Sequence, residues 1–169
     1  MNMRRAFLAA TALLLACPAF AQQPSPDTLF GAALVDLAGK PATLAQFRGK
    51  PLIVNFWARW CGPCRTEIPA IVAQYASAKT AGVQVVGVAL DGKPDAVRDF
   101  AKAYDVDYPV LVLKDNGPEL LKQMNNPEAG LPYTLVIDRN GKIVGGKLGA
   151  MSVTEIASAI AAAGNGARK

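Results

Sequence analysis

The chain has 169 residues, of which 51% are hydrophobic and 18% charged, and this composition predicts one globular domain with a substantial core. Its net charge of +5 is thinly spread, without a long basic run, so nucleic-acid binding is not predicted. The sequence has three cysteines and no histidine, which excludes Ser-His and Cys-His catalysis and a four-ligand zinc site built from cysteine and histidine alone.

The N-terminus has the features of a secretory signal. Arg4 and Arg5 precede an apolar stretch, Ala6–Ala16, that is too short to cross a bilayer core of about 30 Å as a helix. The following Ala19–Ala21 segment matches a small-x-small cleavage pattern. We therefore predict that residues 1–21 are a removed signal peptide and that the protein is exported to the periplasm.

A second N-terminal pattern offers an alternative mode of attachment. Residues 14–17 read LLAC and resemble a bacterial lipobox, so the protein is either released or held at the membrane through a lipidated Cys17 or an uncleaved signal. In the released form, Cys61 and Cys64 are the two cysteines that remain. A bridge between residues three apart removes little entropy from the unfolded chain. This pair is therefore better placed for thiol–disulfide exchange than for stabilising the fold.

The hydrophobic pattern predicts alternating strands and helices after a short leader at residues 22–28. A turn signal at Asp36–Pro41, between two short apolar segments, predicts a hairpin within residues 29–47. Continuous apolar runs predict buried strands, and apolar residues at spacings of three and four predict helices. The predicted strands are 52–57, 83–90, 109–113, 134–137 and 143–148, and the predicted helices are 63–79, 93–104, 119–124 and a last one after residue 152.

This order of elements predicts an α/β fold with a mixed central β-sheet flanked by helices and an N-terminal β-hairpin extension. Asn140-Gly141 between two apolar runs predicts the hairpin of the last two strands. Ser152, with Glu155 three residues later, predicts a capping box for the last helix. The domain is expected to span residues 29–163, followed by a flexible tail at 164–169.

The pattern with the clearest chemistry is Cys61-Gly62-Pro63-Cys64, between the first long strand and the first long helix. Active sites of α/β sheets collect at the carboxyl ends of strands. If Cys61 is the N-cap, the free N–H groups and the helix dipole favour its thiolate, which is the form that attacks disulfides. Gly62 lets the two cysteines come close together. Pro63 suits the first turn of the helix, where its missing N–H costs no hydrogen bond. Cys64 is expected to be less exposed and to resolve the mixed disulfide. Two alternatives to redox exchange are that the cysteine pair is half of a metal site, or that both cysteines are buried and inert.

Residues 55–69, NFWARWCGPCRTEIP, resemble the thioredoxin superfamily and, more narrowly, its exported TlpA/ResA/DsbE-like branch of thiol:disulfide reductases. Residues 36–41 and 47–51 are similar to the N-terminal hairpin of that branch, and residues 130–138, GLPYTLVID, to its cis-proline loop and following strand. The resemblance covers roughly residues 29–160. It implies a thioredoxin-like fold and disulfide exchange, and it is less informative about the substrate.

The same resemblance assigns roles to individual residues. It implies that Cys61 is the attacking thiol, that Cys64 resolves the mixed disulfide, and that Pro132 is a cis proline that shapes the groove for the partner chain. Glu67 matches a carboxylate of this branch near the cysteine pair. Because Asn55 replaces the buried proton-carrying Asp of cytoplasmic thioredoxins, we expect Glu67 or water to move the proton. A helix-start role for Glu67, next to the helix dipole, is the alternative.

Three further features concern packing and the choice of client. Trp57 and Trp60 are interpreted as packing residues, with Trp60 bordering the reactive sulfur. Tyr133 stands where the cytochrome c maturation group tends to have Glu. Residues 125–129, which precede the proline loop, lack the aliphatic-Gly sequence that is expected at this place in that group. The proteins of cytochrome c or metal-centre maturation are therefore one alternative for the client.

The Gly-Pro dipeptide matches that of reducing thioredoxins, with potentials of about −270 mV against about −120 mV for the oxidant DsbA. We therefore expect a reductase of client-protein disulfides, supplied by a membrane thiol–disulfide electron donor. A monomer without cofactor, metal or nucleic acid is predicted. A general oxidant or isomerase, and a Cu(I) chaperone that binds through the two sulfurs, are the alternatives.

Overall fold

The structure, a computed structural model, describes residues 24–165. The predicted signal peptide, the lipobox with Cys17 and residues 166–169 of the predicted tail therefore lie outside the described residues. Between residues 24 and 165, no helix has the length and apolar character needed to cross a membrane.

The described residues form one mixed seven-stranded sheet with helices between the strands. In chain order the elements are α1 (Pro26–Phe30), β1 (Leu34–Val35), β2 (Pro41–Ala42), a 3₁₀ helix (Leu44–Phe47), β3 (Leu52–Trp57), α2 (Gly62–Thr80), β4 (Gln84–Ala89), α3 (Pro94–Ala103), β5 (Val110–Leu113), α4 (Gly117–Gln123), β6 (Tyr133–Ile137), β7 (Ile143–Leu148) and α5 (Val153–Asn165). The strand order is β2-β1-β5-β4-β3-β6-β7, and β4 pairs in parallel with both β3 and β5, while the other pairs are antiparallel. The predicted mixed sheet is confirmed.

The sheet separates two hydrophobic cores, because successive strand residues point to opposite faces. On β3, Ile53 and Trp57 belong to the core covered by α2, α3 and α5. Val54 and Phe56 belong to the opposite core, which is covered by α1, the 3₁₀ helix and α4. All six residues of β3 are buried, as expected for a near-continuous apolar run in a strand covered on both faces.

The N-terminal hairpin is confirmed, because β1 and β2 pair with Leu34 opposite Ala42. The structure adds two short helices that the sequence did not predict. Helix α1 occupies the end of the expected leader, since Leu29 and Phe30 are fully buried in the core on the α4 side. The 3₁₀ helix follows β2, where the Thr43 side chain accepts a hydrogen bond from the backbone.

The predicted C-terminal hairpin and capping box are also present. Asp138 Oδ1 accepts hydrogen bonds from two backbone N–H groups of the turn between β6 and β7. Ser152 Oγ accepts from Glu155 N at 3.3 Å, and Glu155 Oε2 accepts from Ser152 N at 2.8 Å. Helix α5 runs to Asn165, two residues into the expected tail, because the buried Ala163 keeps its last turn against the core.

Candidate active site

The cysteine pair lies at the carboxyl end of β3, where the chain turns into α2. Cys61 is the N-cap of α2, and its Sγ accepts a hydrogen bond from Cys64 N at 3.2 Å. Pro63 occupies the first turn, where its missing N–H costs no helical hydrogen bond. The predicted N-cap position of Cys61 is confirmed, so the dipole of a 19-residue helix points at its sulfur.

Cys61 and Cys64 form a disulfide with their Cα atoms 5.3 Å apart. Cys61 retains 5% exposure, whereas Cys64 is completely buried. The difference agrees with the prediction that Cys64 is the more sheltered sulfur. A partner that approaches from solvent therefore meets Cys61 first.

The loop between β3 and α2 is held by an acidic residue that sequence reasoning missed. Arg59 N donates to Asp91 Oδ2 at 2.8 Å, and Arg59 Nε lies 3.3 Å from Asp91 Oδ1. The Asp91 side chain is 2% exposed and lies just after β4, the parallel neighbour of β3. Its position directly after a buried strand at this edge of the sheet was the available signal. Asp91 fixes the backbone that leads into Cys61.

The two tryptophans of the motif have opposite environments. Trp57 is fully buried and its ring lies 5.1 Å from that of Phe100 on α3, which confirms a packing role. Trp60 is 71% exposed, so the interpretation of Trp60 as a packing residue was wrong. Its side chain projects to solvent because it follows the end of β3, in the turn where the chain leaves the sheet. Trp60 is therefore part of the surface beside Cys61.

Glu67 is buried on α2, three residues after Cys64, and both oxygens of its carboxyl group are hydrogen-bonded. Oε2 accepts from Asn55 Nδ2 at 2.9 Å, and Oε1 accepts from Met151 N at 2.9 Å. Asn55 Nδ2 also donates to Thr134 Oγ1 on β6 at 2.9 Å. The alternative of a helix-start carboxylate is wrong, because Glu67 lies beyond the first turn of α2 and is 1% exposed.

Burial is the main influence on the Glu67 carboxyl group, and it raises the pKa of Glu67 above the ordinary value of a glutamate. The hydrogen bonds from Met151 N and Asn55, and the charge of Lys147, lower this pKa by less than burial raises it. The nearby charge of Glu155 acts in the same direction as burial. The pKa of Glu67 is therefore closer to neutral pH than that of an exposed glutamate, which suits the carboxyl group to take up and release a proton.

Pro132 lies at the same edge of the sheet as the cysteines. The Leu131–Pro132 peptide bond is cis, as the resemblance implied, and Pro132 directly precedes β6. Tyr133, the next residue, is paired with Phe56 near the end of β3. Gly149 N donates to the Pro132 carbonyl oxygen at 2.8 Å, which anchors this segment on the β7 side.

The arrangement supplies two sulfur atoms and one buried carboxyl group for chemistry. An N-cap sulfur beside helix N–H groups is suited to nucleophilic exchange, and the carboxyl group is suited to accept a proton from a buried thiol. Within residues 24–165, no three or more Cys, Asp or Glu side chains are grouped so that they could hold a metal ion.

Comparison with known proteins places these residues in a family context. The redoxin family model matches residues 16–162. The thiol-disulfide oxidoreductase ResA of Bacillus thuringiensis subsp. konkukian is 36% identical over 111 residues, which cover 66% of this chain and 62% of ResA. ResA of Bacillus subtilis is 35% identical over 123 residues, which cover 73% and 66% of the two chains. The chain thus spans less than two thirds of the first relative's length.

Two solved structures are similar over nearly their full lengths. A secreted Mycobacterium tuberculosis disulfide oxidoreductase homologous to Escherichia coli DsbE has a TM-score of 0.66 and 26% identity, with 82% of this chain and 99% of that chain covered. A thiol:disulfide interchange protein of the thioredoxin family from Chlorobium tepidum has a TM-score of 0.65 and 31% identity, with 85% and 98% covered.

The raised pKa of Glu67 predicts a pH-dependent difference in stability between the oxidised wild-type protein and a Glu67→Gln variant. The folded state binds the Glu67 proton more tightly than the unfolded state, so the contribution of Glu67 to stability falls as pH rises from 4.5 through the folded-state pKa. Glutamine does not titrate. Urea unfolding at a series of pH values should therefore show the free energy of unfolding shifting in favour of Glu67→Gln as pH rises.

Glu128→Gln serves as the control, because it removes one negative charge from an exposed position. A stability difference between wild type and Glu67→Gln that stays constant from pH 4.5 to about 8 would contradict the raised pKa.

Proposed function

Because the chain belongs to the redoxin family and has the thioredoxin-like fold that its sequence predicted, we propose that it is a thiol:disulfide oxidoreductase that reduces disulfides of client proteins. The proposal rests on one observation above all. The Cys61–Cys64 disulfide lies at the start of α2, with the Cys61 sulfur as the N-cap acceptor. The names of the ResA relatives, and of the M. tuberculosis oxidoreductase, support the same class of reaction.

In the first step of the proposed reaction, the Cys61 thiolate attacks one sulfur of a client disulfide. A bond forms between Cys61 and that sulfur, and the second client sulfur leaves as a thiolate that takes up a proton. The N–H of Cys64 and the dipole of α2 stabilise the negative charge on Cys61 before attack. Gly62 and Pro63 start the helix without bulky side chains next to this sulfur.

In the second step, Cys64 gives up its proton and attacks the Cys61 sulfur. The Cys61–Cys64 disulfide forms, and the client sulfur that was bound to Cys61 leaves as a thiolate and is protonated, so two electrons and two protons pass to the client. Glu67 is the proposed acceptor of the Cys64 proton. It is buried on the same helix three residues on, a spacing that places both side chains on one face.

Pro132 and Trp60 are proposed to contact the client. Pro132 directly precedes β6, beside the carboxyl end of β3, and Trp60 offers an exposed aromatic surface immediately before Cys61. Large exposed aromatic side chains are common anchors of protein interfaces. In this proposal the client chain lies against both residues while its disulfide reaches Cys61.

The direction of transfer, the location and the partners are proposed from the sequence. The Gly-Pro dipeptide favours a reductant, and the N-terminal signal favours a periplasmic protein, released or held at the membrane. A reductant in an oxidising compartment needs a supply of electrons, which we assign to a membrane thiol–disulfide carrier. In this proposal the protein acts as a monomer without a cofactor, and apocytochromes or metal-site proteins are one alternative for its clients.

Cys61 is expected to be the rapid nucleophile of the reduced protein. Brief alkylation at neutral pH followed by peptide mass spectrometry should label Cys61 before Cys64, because only Cys61 retains exposure at the helix N-terminus. A Cys64→Ser variant should accumulate mixed disulfides on Cys61, and a Cys61→Ser variant should not. Earlier label on Cys64 would reverse the assignment.

The reduction potential of the pair is expected to lie nearer about −270 mV than about −120 mV. Equilibration with glutathione and dithiothreitol buffers, read by thiol alkylation, measures it. A potential above about −180 mV, typical of disulfide isomerases, would favour the oxidant or isomerase alternative.

Loss of the Glu67 charge is expected to lower the pKa values of the reduced thiols, since a carboxylate disfavours a second anion beside it. The pH profile of alkylation should therefore move to lower pH in Glu67→Gln and remain in place in Glu128→Gln. An unchanged profile in Glu67→Gln would leave the proton to water alone.

A further inference from the structure

The loop between α4 and β6, residues 124–131, is held by a buried asparagine that the proposed reaction does not use. Asn126 is 1% exposed. Its Nδ2 donates to the Gly130 carbonyl oxygen at 2.8 Å, and its Oδ1 accepts from Gly130 N at 3.1 Å. One side-chain amide thus pairs with both backbone polar groups of a single residue, two positions before Pro132.

A second side chain holds the other end of the same loop. The Tyr133 hydroxyl donates to the Met124 carbonyl oxygen at 2.6 Å, and its ring is stacked on Phe56 in the sheet. Asn125 and Ala129 have positive φ values of 67° and 49°, and an alanine seldom adopts this conformation without support from its surroundings. The Asn126 and Tyr133 side chains supply that support.

The held loop leads directly to the site. Leu131 packs against the core that contains Cys61 and Cys64, and also against the core on the other face of the sheet. Gly130 lies so close to Leu148 that a Cβ atom at Gly130 would be 2.9 Å from Leu148 Cδ1. Leu148 is 55% exposed and is the last residue of β7, where it is paired with Tyr133 at the same edge of the sheet. The hydrogen bonds of Asn126 hold Gly130 in this contact, two residues before Pro132, whose carbonyl oxygen accepts from Gly149 N.

We infer that Asn126 is a positioning residue for client recognition. Together with Tyr133 it fixes the 124–131 loop, and it thereby positions Pro132 at the edge of the sheet where an extended polypeptide that carries a disulfide must lie. The inference rests on the proposed function. A preformed loop spares the complex the cost of ordering it on binding. A small disulfide that needs only the Cys61 sulfur does not contact this edge, so its reduction is independent of Asn126.

The test compares two substrates in single-turnover reactions of the reduced protein. In Asn126→Ala, the insulin concentration that gives half the limiting rate should rise about tenfold, while the limiting rate changes by less than about threefold. Reaction with the small aromatic disulfide DTNB, and alkylation of Cys61, should stay within about twofold of wild type.

Two further variants separate positioning from folding. Tyr133→Phe removes only the hydroxyl and keeps the stacked ring, so it should fold and show the same selective change in a smaller degree. Asn125→Gly is the matched control, because Asn125 is exposed in the same loop with a φ of 67° that glycine adopts freely, and it should resemble wild type.

The outcomes are distinct. Unchanged half-saturation by insulin in both Asn126→Ala and Tyr133→Phe overturns the inference, and so does a parallel loss with insulin and DTNB, which would indicate a role in folding alone. A wild-type protein that reduces neither substrate contradicts the proposed function itself, and the inference with it.

Discussion

The buried carboxyl group of Glu67 accepts hydrogen bonds from Asn55 on β3 and from the backbone N–H of Met151 before α5. Asn55 extends the contact to Thr134 on β6. A carboxyl group enclosed in an apolar core is costly unless its oxygens are paired, so these partners are constrained to stay in place. Through them one acidic group connects the cysteine helix, two neighbouring strands and the segment that begins the last helix.

The same constraint determines how the chemistry is enclosed. Cys64 and Glu67 lie on one face of α2, in the core between the sheet and α5. Only the Cys61 side of the disulfide approaches solvent, next to the exposed Trp60. Cys64 and Glu67 are therefore both sheltered from solvent, and in the proposed reaction a client would meet only the Cys61 end of the motif.

Much of this arrangement could be predicted from the sequence because its signals are local. The near-continuous apolar run of β3 indicates burial on both faces, and Cys61 at the start of a helix indicates an N-cap. Helix α1 was missed because five residues give no helical period, and only the burial of Leu29 and Phe30 explains it. Trp60 was misjudged because a large aromatic residue suggests packing, whereas its exposure depends on where β3 ends.

Asp91 and Asn126 could not be assigned because their partners are set by tertiary contacts or by loop conformation. Neither residue belongs to a motif, and each satisfies backbone groups of a segment next to the site. Each lies in a loop close to the end of a strand or helix near the active site, and this position is the only sequence feature that points to them.

The contact of Leu131 with both hydrophobic cores has a consequence for how such a protein diversifies. Cys61 and Cys64 lie on one side of the sheet, whereas Tyr133 and the end of α4, which hold the 124–131 loop, belong to the other side. In the proposed function, substitutions on that second side would alter the choice of client and leave the surroundings of Cys61 and Cys64 unchanged. Under the proposed function, partner selection and electron transfer would then evolve independently within a single small domain.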